Sequence, residues 1–291
     1  MFSRVAILGL GLMGGSLALA LRDASMVEQI AGYDLTPEIG VRARERGMVD
    51  QACVSVAEAV READLVVLAA PVLAERALLE QAGPHLTPGA IVTDLGSTKR
   101  VVVGWAAELL PASARFVGGH PMAGRELSGL DASDATLYRD AVWCLTPTAQ
   151  TDPEALQRLS SLITAVGASA VLLDPERHDH LIAGVSHLPI LVAAGLVRML
   201  ASDAGWAELA LLAAGGLRDT TRVASGDPRM ARDICLTNRD EIVRWLDAYL
   251  AILHELRGMV AAGEADGGAT IEVFFREARE VREDWLRRRG W

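Results

Sequence analysis

Apolar and polar residues keep one rhythm up to about residue 174 of this chain and a different one beyond it. In the first part, compact apolar runs fall at 5–8, 29–33, 65–69, 91–93, 115–117, 142–145 and 169–173. Helix-compatible stretches separate many of them, such as LALALRDA after the first run and 153–166 before the last. Glycine, proline or aspartate punctuates most of their ends. Strands alternating with helices predict an α/β fold built on a doubly wound, mostly parallel sheet. Past Asp174 the strand signal all but stops, and segments of helical period follow at 179–200, 206–214, 229–258 and 270–289. The pattern therefore predicts two domains, 1–174 and a second, all-helical one over 175–291.

The apolar run 181–200 is long enough to cross a bilayer, but Ser186, His187, Pro189 and Arg198 interrupt it. Such interruptions are costly in lipid, so a buried core helix is expected. About half of the 291 residues are apolar and 23% are charged, which is the composition of a globular protein. The formal charge of −10 argues against broad electrostatic capture of nucleic acid or an anionic membrane. An anionic substrate would need a few local arginines. Cys53, Cys144 and Cys235 are far apart and odd in number, so neither a disulfide framework nor a metal set emerges. The N-terminus runs almost at once into an apolar strand, and a cytoplasmic location is expected. The arginines at 287–289 read as a solvated helix end. A small helical domain with this much apolar surface is expected to complete its core by pairing with a second copy.

GLGLMGG at 9–15 places Gly9, Gly11 and Gly14 in the G-x-G-x-x-G spacing, directly after a strand and opening a helix, with Leu12 and Met13 inside the turn. Such a turn lets backbone approach a pyrophosphate at the helix N-terminus. Asp34 stands twenty residues after Gly14, at the end of the second strand, where a carboxylate binds both ribose hydroxyls. Leu35, Thr36 and Pro37 follow, with no arginine for a 2′-phosphate, so a Rossmann-type domain using NAD is expected. Pro71, just after the LVVLAA strand, is expected to shape the wall near the nicotinamide.

Two more strand ends carry polar groups: DLGSTKR at 94–100 and VGGHPMAG at 117–124. Ligands in doubly wound sheets sit outside the carboxyl ends of the strands. Ser97 and His120 are thus expected to converge on one site. The histidine, read as standing on a loop, would accept a hydroxyl proton while hydride leaves the same carbon, and the serine would orient the imidazole or the hydroxyl. Lys99 reads equally as a charge beside the pyrophosphate and as a solvated lysine at a helix start. His178 and His180, two residues apart, do not share a helical face, and no metal is expected.

GLGLMGGSLA, DLGSTK, GGHPMAG, SHLP and GLRDTTRVASGDPRM, in this order, strongly resemble the prephenate/arogenate dehydrogenases of tyrosine biosynthesis. The resemblance spans nearly the whole chain. It implies a dinucleotide-binding domain followed by a helical dimerisation domain. It also implies oxidative decarboxylation of a cyclohexadienol, with hydride passing to NAD and His120 taking the hydroxyl proton. Arg222, in RDTTR, matches the position that holds a substrate carboxylate, with Arg218 and Asp219 in support. His187, in SHLP, lies on a segment that faces the cleft in the family. Prephenate-using members often carry a second histidine where this chain has Ile190, and cyanobacterial arogenate dehydrogenases resemble this chain in having an aliphatic residue there. Prephenate and arogenate therefore both stay open. A β-hydroxyacid dehydrogenase shares the glycine turn but needs a lysine in its helical domain, and 175–291 contains none. An NAD-binding sensor without catalysis is the other reading.

Overall fold

The computed structural model describes residues 1–125, 127–263 and 268–290. Six parallel strands form the main sheet: β1 (Phe2–Leu8), β2 (Val27–Tyr33), β3 (Gln51–Cys53), β4 (Leu65–Leu68), β5 (Ile91–Asp94) and β6 (Arg115–Phe116). Their order is β3-β2-β1-β4-β5-β6, with the reversal between β1 and β4 that creates a ligand crevice at the strand ends. A second sheet, β7-β8-β9, comprises β7 (Gly118–Pro121), β8 (Val142–Thr146) and β9 (Ser169–Leu172), with β7 antiparallel to β8. The helices between strands are α1 (Leu12–Asp23), α2 (Pro37–Glu45), α3 (Val56–Val60), α4 (Val72–Ala82), α5 (Arg100–Leu109) and α6 (Pro153–Ala165). After β9 come α7 (Pro175–Ile182), α8 (Leu188–Ala201), α9 (Trp206–Leu212), α10 (Gly215–Thr221), α11 (Pro228–Thr237), α12 (Arg239–Ala262) and α13 (Ala269–Arg289).

The main sheet is apolar on both faces because helices cover both. Val5 and Ile7 of β1 enter one core with Leu17, Leu21 and Leu65. Ala6 and Leu8 enter the other with Val66, Leu68 and Leu79. This two-sided burial makes the strands read as continuous runs without alternation. Three helices start on the same chemistry, an Asp-Pro pair. Asp152, Asp174 and Asp227 each accept a backbone N–H of the first turn, and the following proline occupies a position where no N–H is needed.

Several expectations need correction. β3 is only three residues long and leaves no visible period. GGHP forms a strand at the edge of the second sheet, not a loop: Gly119 pairs with Leu145 and His120 with Cys144. A β-carbon on Gly119 would lie 2.6 Å from the carbonyl oxygen of Asp94, so glycine is there for close approach to β5. The helical segment 229–258 breaks at Asn238 between α11 and α12. The run 181–200 is divided by a π-helical turn at Ala183–His187, and α8 buries only Ala193. The stretch Pro175–Ala201 is apolar and long enough to span a membrane by length and composition, with 22% of its most apolar window buried. It is not a buried core helix: most of the side chains of α8 are half-buried or exposed. Its beginning is nevertheless fixed to α5 by the Asp179 carboxylate.

By contact density the chain divides into Met1–Ile242 and Val243–Trp291. The second unit holds most of α12 and all of α13, and exposes Leu250, Leu253, Phe275 and Trp285.

Candidate active site

At the end of β1, Gly9 takes φ +109°, and a β-carbon on Gly14 would lie 1.9 Å from the carbonyl oxygen of Gly9. Only glycine lets α1 start this close to the strand. Gly11 caps α1, and a β-carbon there would meet nothing within 4 Å, which leaves room for a phosphate to approach the helix N-terminus. Asp34 accepts from the Leu10 N–H at 2.9 Å with Oδ2 and from the Thr36 N–H at 2.9 Å with Oδ1. Each carboxylate oxygen is anchored and keeps a lone pair for a ribose hydroxyl. The turn, the helix N-terminus and the acidic strand end fit a dinucleotide.

A cavity of about 660 Å³ opens beside this turn. Gly11, Leu12 and Met13 form one wall, Pro71 and its neighbours the floor, and Ser97 and His120 the facing wall. Residues 225–230 with Asp233 and Ile234 close it from the helical side. Ser97 and His120 thus meet across 23 positions of sequence. Gly9, Gly14, Asp34, His187 and Arg222 stand off the lining. Arg222 is exposed on the turn Arg222–Ser225, whose last residue reaches the cavity wall. Arg125 and Arg229 do line the cavity, each beside its own carboxylate, Asp134 and Asp227. Arg125 directly follows GGHPMAG and Arg229 lies within GLRDTTRVASGDPRM, but in that motif the resemblance pointed to Arg222 instead.

His120 is 8% exposed. Its orientation comes from a residue the sequence did not suggest, since its Nδ1 lies 2.9 Å from Nε2 of His178 and not on Ser97. Nδ1 of His178 lies 2.8 Å from Oδ1 of Asp179. That carboxylate also receives the N–H groups of Lys99 at 2.7 Å and Arg100 at 3.0 Å, capping α5. Burial first, then the charges of His178, Lys99 and His187, hold His120 well below the ordinary histidine pKa, so it is neutral at pH 7 and has a lone pair to accept a proton. His180 turns the other way, to Glu241 at 2.7 Å.

Lys99 settles as neither of the two readings expected for it. It is fully buried, and its Nζ pairs with Asp94 Oδ2 and donates to the carbonyl of Gly119 at 2.8 Å. Asp94 also accepts from the N–H of Gly96 at 2.9 Å and of Gly119 at 3.0 Å. One buried ion pair therefore ties the Ser97 loop to the His120 strand. Glu75, also fully buried, has two oxygens without hydrogen-bond partners. Burial, then the Asp94 charge, push its pKa well up, so it stays a neutral acid. His187 is buried as well, receives Asn238 Nδ2 on its Nδ1 at 3.3 Å, and is pushed down to about 4 by burial. The side chain of Asn238 also donates to the Asp179 carbonyl at 2.8 Å, and the chain breaks its helix at this residue.

Comparison with known proteins agrees with this geometry. The family model described as "Prephenate dehydrogenase, nucleotide-binding domain" matches residues 17–172, and "Prephenate dehydrogenase, dimerization domain" matches 174–275. The chain is 37% identical over 289 residues to prephenate dehydrogenase of Bacillus subtilis, covering 98% of this chain and 77% of that one. It superposes with a TM-score of 0.90 and 32% identity on prephenate dehydrogenase from A. aeolicus, solved in complex with hydroxyphenyl propionate and NAD+, with 98% of each chain covered. On Synechocystis arogenate dehydrogenase the TM-score is 0.82 at 30% identity, covering 97% of this chain and 99% of that one. The glycine turn, the acidic end of β2 and the histidine strand thus stand in a chain that belongs to the prephenate dehydrogenase family.

Proposed function

We propose that this protein is an NAD-dependent prephenate dehydrogenase, converting prephenate to 4-hydroxyphenylpyruvate and CO2 in tyrosine biosynthesis. The observation that carries the reading is one cavity wall: a neutral, buried His120 beside Ser97, facing a glycine turn built for a dinucleotide. NAD, when bound, supplies the acceptor for the hydride leaving C4 of the ring. Gly11 and the start of α1 hold the pyrophosphate, and Asp34 holds the ribose. Leu12, Met13 and Pro71 form the adjoining walls.

His120 accepts the proton of the 4-hydroxyl as that carbon is oxidised, and Ser97 hydrogen-bonds the same oxygen. Loss of CO2 then sends an electron pair through the ring to this oxygen, which regains the proton from His120 as the ring becomes aromatic. The histidine ends as it began. Aromatisation supplies the driving force, so the protein has only to position and polarise. Arg222 is the proposed partner of a substrate carboxylate, where a guanidinium fork suits two oxygens. His187 is proposed to support the substrate side from behind the wall.

A second substrate, arogenate, is favoured by Ile190, which stands where prephenate-using relatives often carry histidine. The deciding experiment is a two-by-two assay of prephenate and arogenate against NAD and NADP, following reduced cofactor. Turnover of prephenate with NAD is expected. Turnover of arogenate alone reassigns the substrate, and no turnover with either favours a nucleotide sensor. We place the domain boundary at 174, a reading supported by the end of β9 at Leu172 and by the two family ranges that meet there. A cytoplasmic homodimer is the proposed assembly, supported by the uncovered apolar residues Met199, Leu211 and Leu212. Light scattering on the eluting protein tests it, and a monomer mass rejects it.

A further inference from the structure

Outside the groups that face the cavity, one chain of buried side chains runs from the reacting histidine into the core. His120, on β7, meets His178, on α7, at 2.9 Å, and His178 meets Asp179 at 2.8 Å. His178 and Asp179 are no more than 1% exposed. Neither lines the cavity. We infer that His178 and Asp179 are positioning residues that hold His120 in a single tautomer, Nδ1 protonated and Nε2 bare toward the cavity.

The direction follows from counting donors and acceptors. Asp179 is used as an acceptor at both oxygens, Oδ1 by the Lys99 N–H and Oδ2 by the Arg100 N–H. The proton between Asp179 and His178 therefore belongs to Nδ1 of the histidine. A neutral imidazole carries one N–H, which leaves Nε2 of His178 as an acceptor. Only Nδ1–H of His120 can fill that contact, so the free lone pair of His120 sits on Nε2. The N-terminus of α5, where Asp179 takes two backbone N–H groups, favours a negative charge there. When Nε2 takes a proton, the positive charge on His120 lies one imidazole away from that carboxylate. Without the relay, His120 would divide its population between two tautomers, and the one with Nε2 protonated cannot act as the base. Ser97 then serves the substrate oxygen alone.

The kinetic arm of the test rests on the proposed reaction, and the spectroscopic arm does not. In protein labelled with 15N-histidine, without substrate and with signals assigned by His120→Asn, the His120 Nδ1 shift should be that of N–H and the Nε2 shift that of a bare ring nitrogen. His178→Leu should mix the two forms, free the ring to turn and cut His120 off from the Asp179 carboxylate, and together these losses should lower kcat about 10²-fold or more, with KM and NAD affinity within about twofold. His178→Gln, whose carbonyl can accept the Nδ1–H, should recover kcat to within about tenfold of wild type. Asp179→Asn should move the acid limb of the kcat profile to lower pH, because the nearby anion that favours protonated His120 is gone; loss of mere packing would lower kcat without moving it. If His178→Leu fails to fold, the Gln and Asn variants carry the test. A His120 Nε2 already protonated in wild type, or His178→Leu with kcat within threefold of wild type, overturns the relay. If wild type reduces neither cofactor with either cyclohexadienol, the functional reading falls while the ring-nitrogen shifts still decide the relay.

Discussion

The glycine wall and the histidine wall of the cavity present their groups by opposite means. On the glycine wall, backbone does the work: Gly9, Gly11 and Gly14 lie within six residues, and Asp34 joins them through the Leu10 N–H. On the histidine wall, side chains from distant segments do it. His120 is held through His178 and Asp179 from α7, and its strand is tied to β5 through Lys99 and Asp94. A wall made of backbone depends on residue size and φ, and tolerates changes of charge elsewhere. A wall made of buried charged and ring groups fails when any one of them loses its partner.

His120→Ala should break the comparison most widely. A general base contributes about 10²–10⁴ in rate, so kcat should fall by that factor while NAD binding, measured by calorimetry, stays nearly intact. A variant with normal turnover removes His120 from the chemistry. Normal turnover loss accompanied by lost NAD affinity would instead show that the two walls are not independent.

Lys99→Met probes the histidine wall through its stability. It leaves Asp94 buried with only backbone N–H donors, and breaking a buried pair on one side costs about 3–5 kcal/mol. Against a total of about 5–15 kcal/mol, that should move the urea midpoint far down. An unchanged midpoint would mean that the pair contributes nothing to the wall. Asp34→Ser addresses the glycine wall alone. It removes the charge that repels a 2′-phosphate, and a charge-assisted bond is worth about 1.5–3 kcal/mol, so the ratio of NAD to NADP efficiency should fall by about tenfold or more. His120 chemistry with NAD at saturation should change little. Equal efficiencies in the wild type would reject the role of Asp34 outright.

The difference between the walls also explains what could be read from the chain. Glycine spacing, a strand before it and an acid twenty residues later are local, so the first wall and the parallel sheet were legible. The second wall was legible only at its tips. Ser97 and His120 sit in marked strand-end segments, but the glycines before His120 were mistaken for the end of a strand when they serve close packing against β5. His178 looked like half of an unconvincing metal pair, because nothing in ERHDH announces that α7 aims one histidine at β7 and the other at Glu241. Lys99 followed the serine as a polar residue would, and only the fold shows it buried. Asn238 broke a helix that its neighbours favour, since its side chain is committed to Asp179 and His187.

The smallest effect concerns Glu75, the neutral acid beneath the Ser97 loop. Its folded pKa is raised well above the usual 4.5 by burial and by Asp94. The sign is then fixed by linkage. Below about pH 4.5 both folded and unfolded chains hold the proton and Glu75 contributes no pH dependence. As pH rises from there toward the folded pKa, the unfolded chain releases the proton and the folded one keeps it, so stability is lost. Buried His187, pushed down to about 4, slopes the other way, losing stability as pH falls from about 6.5 toward 4. Glu75→Gln replaces a neutral acid with a neutral amide of nearly the same shape. It should therefore leave the protein within about 1 kcal/mol of wild type at pH 4.5 and make it the more stable of the two at pH 8. Denaturant midpoints at the two pH values make the comparison. A Gln variant that loses stability at pH 8 would mean that Glu75 is ionised in the fold, and that the histidine wall carries one more negative charge than its geometry can satisfy.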